Sequence, residues 1–121
     1  MSTKAVTLSI PGWVPPSLNE WQRMHWAKRG RVKNTAALLV LQALTEGHKP
    51  LPRFRGKVRV EITLSYPRNL RDEDNLVASV KPMLDAIRGL GVIIDDSPKW
   101  LELSVKQVKG KKATHVNMSE Q

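Results

Sequence analysis

Lys57-Val58-Arg59-Val60-Glu61-Ile62-Thr63-Leu64-Ser65-Tyr66 alternates apolar and polar side chains from end to end. A period of two marks a half-buried strand, with Val58, Val60, Ile62 and Leu64 inward and Arg59, Glu61, Thr63 and Ser65 outward. Soon after it comes the motif Arg71-Asp72-Glu73-Asp74-Asn75, and then the period changes. Leu76, Val80, Met83, Leu84 and Ile87 recur at helical spacing, with Gly89 or Gly91 as the stop. Pro82 lies inside that run. It lacks the backbone donor and crowds the preceding turn, so a kink or a restarted helix is expected there. One strand followed by one covering helix is the unit from which the fold is read.

The same unit stands upstream. Ala5 to Ile10 alternates, with Val6, Leu8 and Ile10 on one side, and Pro11-Gly12 ends it. Pro15-Pro16 stiffens the next segment. Trp21, Met24 and Trp26 then mix with Arg23, Lys28, Arg29, Arg31 and Lys33 in a loop or short helix. A helix is predicted from about Val32 to Glu46, with Val32, Ala36, Leu39, Val40 and Ala43 on one face and Gly47 closing it. Downstream, about Trp100 to Val108 and Ala113 to Met118 read as strands. Gly110 within the basic turn Lys109 to Lys112 predicts a hairpin between them. The expected order is β-α-β-α-β-β, an α+β domain over residues 1–121 in which two helices cover a small mixed sheet.

Composition narrows the function. A hydrophobic fraction of 40% and a charged fraction of 26% suit a folded domain and argue against global disorder. Twenty Lys and Arg against eleven Asp and Glu give +9, which favours a polyanionic partner. Nucleic acid is preferred to a membrane, because no apolar run approaches the roughly 20 residues of a spanning helix. The N-terminus lacks a signal-peptide core, so cytoplasmic location is the expectation. With no cysteine, thiolate metal sites are excluded, and with only His25, His48 and His115, widely separated, a histidine-rich zinc site is not expected. Any metal should be a hard, oxygen-liking ion such as Mg²⁺, with Mn²⁺ as a substitute.

Against that basic background, six of the eleven acidic residues fall between positions 72 and 96: Asp72, Glu73, Asp74, Asp85, Asp95 and Asp96. Gathered carboxylates repel, and a divalent ion would offset the cost. Asp72 and Asp74 converge if Asp72 still belongs to extended backbone, and Val92 to Ile94 could return Asp95 or Asp96 beside them. The simpler reading makes Asp72 or Asp74 a helix N-cap and Asp95-Asp96-Ser97-Pro98 a turn. Lys81 lies two helical turns beyond Asp74, where its ammonium could meet a metal-bound phosphate; Asp85, four residues on, could hold it. The basic-aromatic segment reads as a nucleic-acid surface. In it Trp21 or Trp26 stacks on exposed bases, while Trp13 and Trp100 pack.

In order and spacing, these motifs resemble the RusA family of Holliday-junction resolvases. The resemblance rests on Pro15-Pro16-Ser17-Leu18-Asn19, His25-Trp26 with its basic cluster, Arg71-Asp72-Glu73-Asp74-Asn75-Leu76, Lys81, Leu84-Asp85-Ala86-Ile87 and Gly91-Val92-Ile93-Ile94-Asp95-Asp96. It implies a Mg²⁺-dependent endonuclease, bacterial or phage-encoded and associated with the nucleoid, that acts as a homodimer on four-way DNA junctions. By the same resemblance Asp72, Asp74 and Asp96 are metal ligands and catalytic, Asp95 is an auxiliary ligand and Lys81 is the catalytic lysine. Lys81 stands nearly one helical turn further from Asn75 than its counterpart in the family's type member. Arg23, Lys28, Arg29, Arg31, Lys33 and Arg71, with Asn19 and Trp26, are the expected DNA contacts. Two rival expectations are a nuclease of the same fold for flaps or forks and a DNA-binding module without catalysis.

Overall fold

The computed structural model describes residues 5–47, 50–67 and 71–121; the side chains of Leu18, Glu73 and Asp74 lie outside the description. In chain order the elements are β1 (Ala5–Pro11), α1 (Leu18–Arg23), α2 (Trp26–Gly47), β2 (Val58–Tyr66), α3 (Glu73–Ser79), α4 (Lys81–Gly89), β3 (Leu101–Lys109) and β4 (Ala113–Glu120). The strands form one mixed sheet in the order β1-β4-β2-β3. β4 is antiparallel to β1 and to β2, while β3 is parallel to β2. The result is a small α+β fold, and β2, the strand with the clearest alternation, lies inside the sheet.

One face of the sheet carries the core. Val6, Leu8 and Ile10 of β1, Val116 and Met118 of β4 and Val58 to Leu64 at alternate positions of β2 are buried there. They join Val40 and Leu44 of α2 and Met83, Leu84 and Ile87 of α4 in a single apolar cluster. Each such side chain contributes roughly 1.5–3 kcal/mol when fully buried. The opposite face is polar: Thr7 bonds Asn117 and Ser9 bonds His115 across the β1–β4 register. α2 packs on β1 and α4, α1 packs on α3, and α3 also touches β3.

Two expectations are corrected. β3 and β4 do not form a hairpin, because β2 lies between them. Lys109 sits opposite Tyr66 on one side of β2, and Ala113 sits opposite Ser65 on the other. The connection must therefore cross two interstrand gaps, about 10 Å, and four Cα steps reach about 14 Å, so the short turn suffices. It passes so close to β2 that a Cβ on Gly110 would lie 2.9 Å from Ser65 Oγ, and the Gly110 N–H donates to the Tyr66 carbonyl. A glycine expected for a hairpin is there for a close crossing.

The helices also outnumber the expected two. α2 begins at Trp26, not near Val32, and α1 precedes it. Sequence periodicity was silent there because the N-terminal part of α2 has no core face: its buried residues are Ala36, Val40 and Leu44. His25 precedes that helix, and its Nδ1 accepts from the Ala27 N–H at 3.2 Å, a local capping role. The expected break near Pro82 is present. α3 ends at Ser79, Val80 bridges, and α4 restarts with the proline in its first turn, where the missing N–H costs nothing. Gly91, at φ 80°, ends α4. Its N–H donates to Arg88 and that of Val92 to Ile87, the paired bonds of a Schellman cap.

Candidate functional site

Asp72 is the N-cap of α3. Its backbone is extended, and its Oδ1 accepts from the Asn75 N–H at 2.8 Å. The capping reading therefore describes what Asp72 does in the fold, and one oxygen remains for other partners. Asp74 is the second residue of α3, but its side chain falls outside the described residues. Asn75 is buried, and its Oδ1 accepts from the Asn19 N–H at 3.4 Å. That bond ties the Pro-Pro-Ser-Leu-Asn segment to the acidic motif. Ser17 and Glu20 complete a capping box at the start of α1, which fixes the other end of the tie.

The second half of the acidic constellation gathers at α4. Lys81 Nζ lies 3.3 Å from Asp85 Oδ1 and 3.1 Å from Asp96 Oδ2. Arg88 Nη1 lies 3.4 Å from Asp96 Oδ1 and 3.6 Å from Asp95 Oδ1. Lys81, Asp85 and Arg88 share one face of α4 by their i, i+4 and i+7 spacing. The Gly91 cap turns the chain so that Asp95 and Asp96 meet that face. Asp96 thus receives a cation on each oxygen. The hydrogen bond from Lys81 is the main influence holding its carboxyl below the usual aspartate range. Reciprocally, hydrogen bonds to Asp96 and then Asp85 raise the lysine pKa. Both groups are ionised at neutral pH.

Asp72 caps α3 and Lys81 begins α4, so the whole of α3 and the break at Val80 lie between them. Within the acidic constellation, Asp72 keeps the oxygen that does not cap α3, while Asp95 and Asp96 share their oxygens with cations. Among the described residues no three acidic or histidine side chains form a ready metal cage. Oxygen-only donors with few protein ligands are nevertheless the kind that suit Mg²⁺, which keeps much of its water.

The basic-aromatic residues divide between two pockets, one lined by Trp21 of α1 and the other by Glu20. One, of about 490 Å³, is bordered by Trp21, Lys33, Val77, Leu103, Lys81 and Asp85. Trp21 carries Arg29 and Lys33 over its ring, each at 5.8 Å. Arg29 also donates to the carbonyls of Trp21 and Gln22 near the end of α1. The other pocket, of about 620 Å³, takes Lys28, Arg31 and Arg71. Arg23, Asn19 and Trp26 are exposed, Trp26 at 77%. Trp13 packs against the core as expected, whereas Trp100 is half-buried with Lys99 over its ring at 5.3 Å.

Three participants were not singled out from the sequence. Arg88 was legible, being seven residues after Lys81 and so on the same helical face. Tyr66 continues the inward phase of β2 and was equally legible. Gln107 was not: its side-chain amide brackets the backbone of Arg71, accepting from its N–H at 2.8 Å and donating to its carbonyl. Only the parallel pairing of β2 with β3 brings them together.

Among the described residues no helix is long and apolar enough to cross a membrane. No protein-family model matches the chain, and comparison with curated proteins gives no match.

Proposed function

We propose that the chain is a Mg²⁺-dependent, structure-specific endodeoxyribonuclease that cuts four-way DNA junctions as a homodimer. The observation that carries this reading is the meeting of two groups at one pocket. The Lys81–Asp85 pair, joined to Asp96, borders the same opening as Trp21 and Lys33. A cation beside carboxylates serves phosphodiester chemistry, while an aromatic ring flanked by cations serves an unstacked base and its phosphate. The net charge of +9 supports a polyanionic substrate.

In this reading Asp72, Asp74 and Asp96 hold the metal, with Asp95 in support. When bound, Mg²⁺ supplies Lewis acidity toward water and phosphate oxygen. Water oxygen bonds to phosphorus as the P–O3′ bond breaks, leaving a 5′-phosphate and a 3′-hydroxyl. Lys81, ionised and steered by Asp85, offers charge to the phosphate oxygens as negative charge builds on them. The Asn19–Asn75 tie holds the basic segment in register with the acidic motif. Paired cuts on symmetry-related strands call for a two-fold dimer, and branch selection comes from shape rather than base contacts.

The test is cleavage of a synthetic four-way junction in Mg²⁺ by wild type, Asp72→Asn and Asp74→Asn. Asparagine is as good an N-cap as aspartate, so Asp72→Asn keeps the fold of α3 while removing a charge. Cleavage should fall at least roughly a hundredfold in each variant, the loss of several kcal/mol of metal-dependent stabilisation. Junction binding should be kept or strengthened. Faster cutting of flaps or forks than of junctions overturns the substrate assignment. Absence of Mg²⁺-dependent cleavage by wild type leaves a DNA-binding module.

A further inference from the structure

The larger pocket, which Lys81 does not line, has its own chemistry. Lys28 and Arg31 reach it from one face of α2, Arg71 from the segment after β2, and Lys112 from the crossing between β3 and β4. The opposing charge in its lining is Glu20, whose carboxylate already accepts from the Ser17 N–H in the capping box. Trp13, Val14 and Pro15 supply an apolar wall. Four cations drawn from three separate parts of the chain converge here without matching carboxylates.

The floor of the pocket is where the fold is least satisfied. Tyr66 is 8% exposed, and its Oη has no hydrogen-bond partner among the described residues; neither has Arg71 Nη1. Both residues line this pocket. The Arg71 guanidinium lies over the Tyr66 ring at 4.6 Å, and Gln107 fixes the arginine backbone. Burial pushes the phenol up to about 12, so it stays a donor at neutral pH. Burial also lowers the arginine pKa, and the opposing influence of Tyr66 and Glu20 does not cancel it. Two adjacent buried donors, each without an acceptor, call for a ligand that brings several acceptor oxygens.

We infer that this pocket binds a single nucleotide, its 5′-phosphate held by Arg71, Tyr66 Oη, Lys112 and Arg31 and its base lying against Trp13 and the neighbouring apolar wall. The volume of about 620 Å³ falls within the range of small-ligand sites. A phosphate accepts from arginine and phenol together, and a planar base is the natural occupant of the aromatic side. The chemistry of the pocket stands on its own donors. That the nucleotide is an unpaired residue of the cleaved DNA rests on the proposed function.

Isothermal titration without divalent metal tests it, using the four 2′-deoxynucleoside 5′-monophosphates, thymidine and inorganic phosphate as probes. At least one monophosphate should bind saturably, with thymidine and phosphate each roughly tenfold or more weaker. Lys112→Glu should weaken nucleotide binding roughly tenfold or more. Tyr66→Phe should weaken it several-fold with no fall in Tm, because it removes only an unpartnered hydroxyl. Failure of every monophosphate to bind, or undiminished binding by Lys112→Glu, overturns the inference. Equal affinity for phosphate and nucleotides also overturns it, since that describes a bare anion site. Asp96→Asn should bind nucleotide like wild type. Absence of junction cleavage by wild type with nucleotide binding intact sinks the nuclease reading alone; cleavage without nucleotide binding sinks this inference alone.

Discussion

The corner around Lys81 and the pocket over Tyr66 are both rich in charge, yet they manage it in opposite ways. At the corner, Lys81 and Arg88 face Asp85, Asp95 and Asp96, and each of these five charges has a partner within 3.6 Å. In the pocket, Lys28, Arg31, Arg71 and Lys112 face Glu20 alone, and two buried donors lack acceptors among the described residues. The corner leaves a balance of one negative charge, the pocket three positive. A self-neutralised, exposed network costs the fold little and can exchange partners when a phosphate or a metal arrives. A buried, unmatched set of donors costs stability until something fills it. The contrast separates a place suited to chemistry from a place suited to holding.

Lys81→Met should have the largest effect. If Lys81 stabilises charge at the scissile phosphate, junction cleavage should drop roughly a hundredfold, a scale typical for loss of one electrostatic stabiliser. Urea unfolding should shift by less than about 1 kcal/mol, because the lysine side chain is 65% exposed. A matching loss in stability and activity would make the corner structural and erase the contrast. Gly110→Ala attacks the pocket side. The new Cβ would meet buried Ser65 Oγ at 2.9 Å where the chain crosses β2, and the floor at Tyr66 would have to shift. Destabilisation of about 1–2 kcal/mol is expected from such overpacking, with the spectrum of Tyr66 perturbed.

What the sequence could disclose follows this division. The interior was legible, because Val58, Val60, Ile62 and Leu64 or Met83, Leu84 and Ile87 announce their element by their period. So was the restart at Pro82, since a proline's missing donor has a fixed consequence. The position of β2 between β3 and β4 was not legible. A glycine in a short basic turn serves a hairpin or a strand crossing equally well, and only the competition for the most apolar partner decides. The early start of α2 was hidden because a helix without a core face leaves no periodic trace. Within the site, spacing along α4 foretold the Lys81–Asp85 pair. The Arg71–Gln107 bracket depends on parallel strand pairing across 36 positions, which no local pattern encodes.

Tyr66→Phe should raise stability in the free protein by about 1 kcal/mol, since a buried hydroxyl without an acceptor is removed and the ring stays under Arg71. A thermal melt would show this as a gain of a few degrees. A clear loss instead would mean that the hydroxyl has a partner in the free fold, and the pocket would cease to be the unsatisfied half of the pair.

The smallest expected effect is the coupling between Lys81 and Asp96, read from a double-mutant cycle of Lys81→Met and Asp96→Asn by urea unfolding. Their side chains are 65% and 20% exposed and 3.1 Å apart, so solvent screening should hold the coupling below about 1 kcal/mol. Its pH dependence has a definite sign at each end. The Asp96 pKa is lowered chiefly by the Lys81 hydrogen bond, so the contribution exists above the unfolded carboxylate range and disappears as pH falls through the lowered value. The Lys81 pKa is raised chiefly by the same bond, so the contribution exists below the unfolded lysine range and disappears as pH rises through the raised value. A plateau across neutral pH, shrinking with added salt, is the expected profile. Coupling above about 2 kcal/mol, or persisting in acid, would mark a desolvated lock. A lock could not release Asp96 to a metal at little cost, so this small number bears directly on whether the corner is built for exchange.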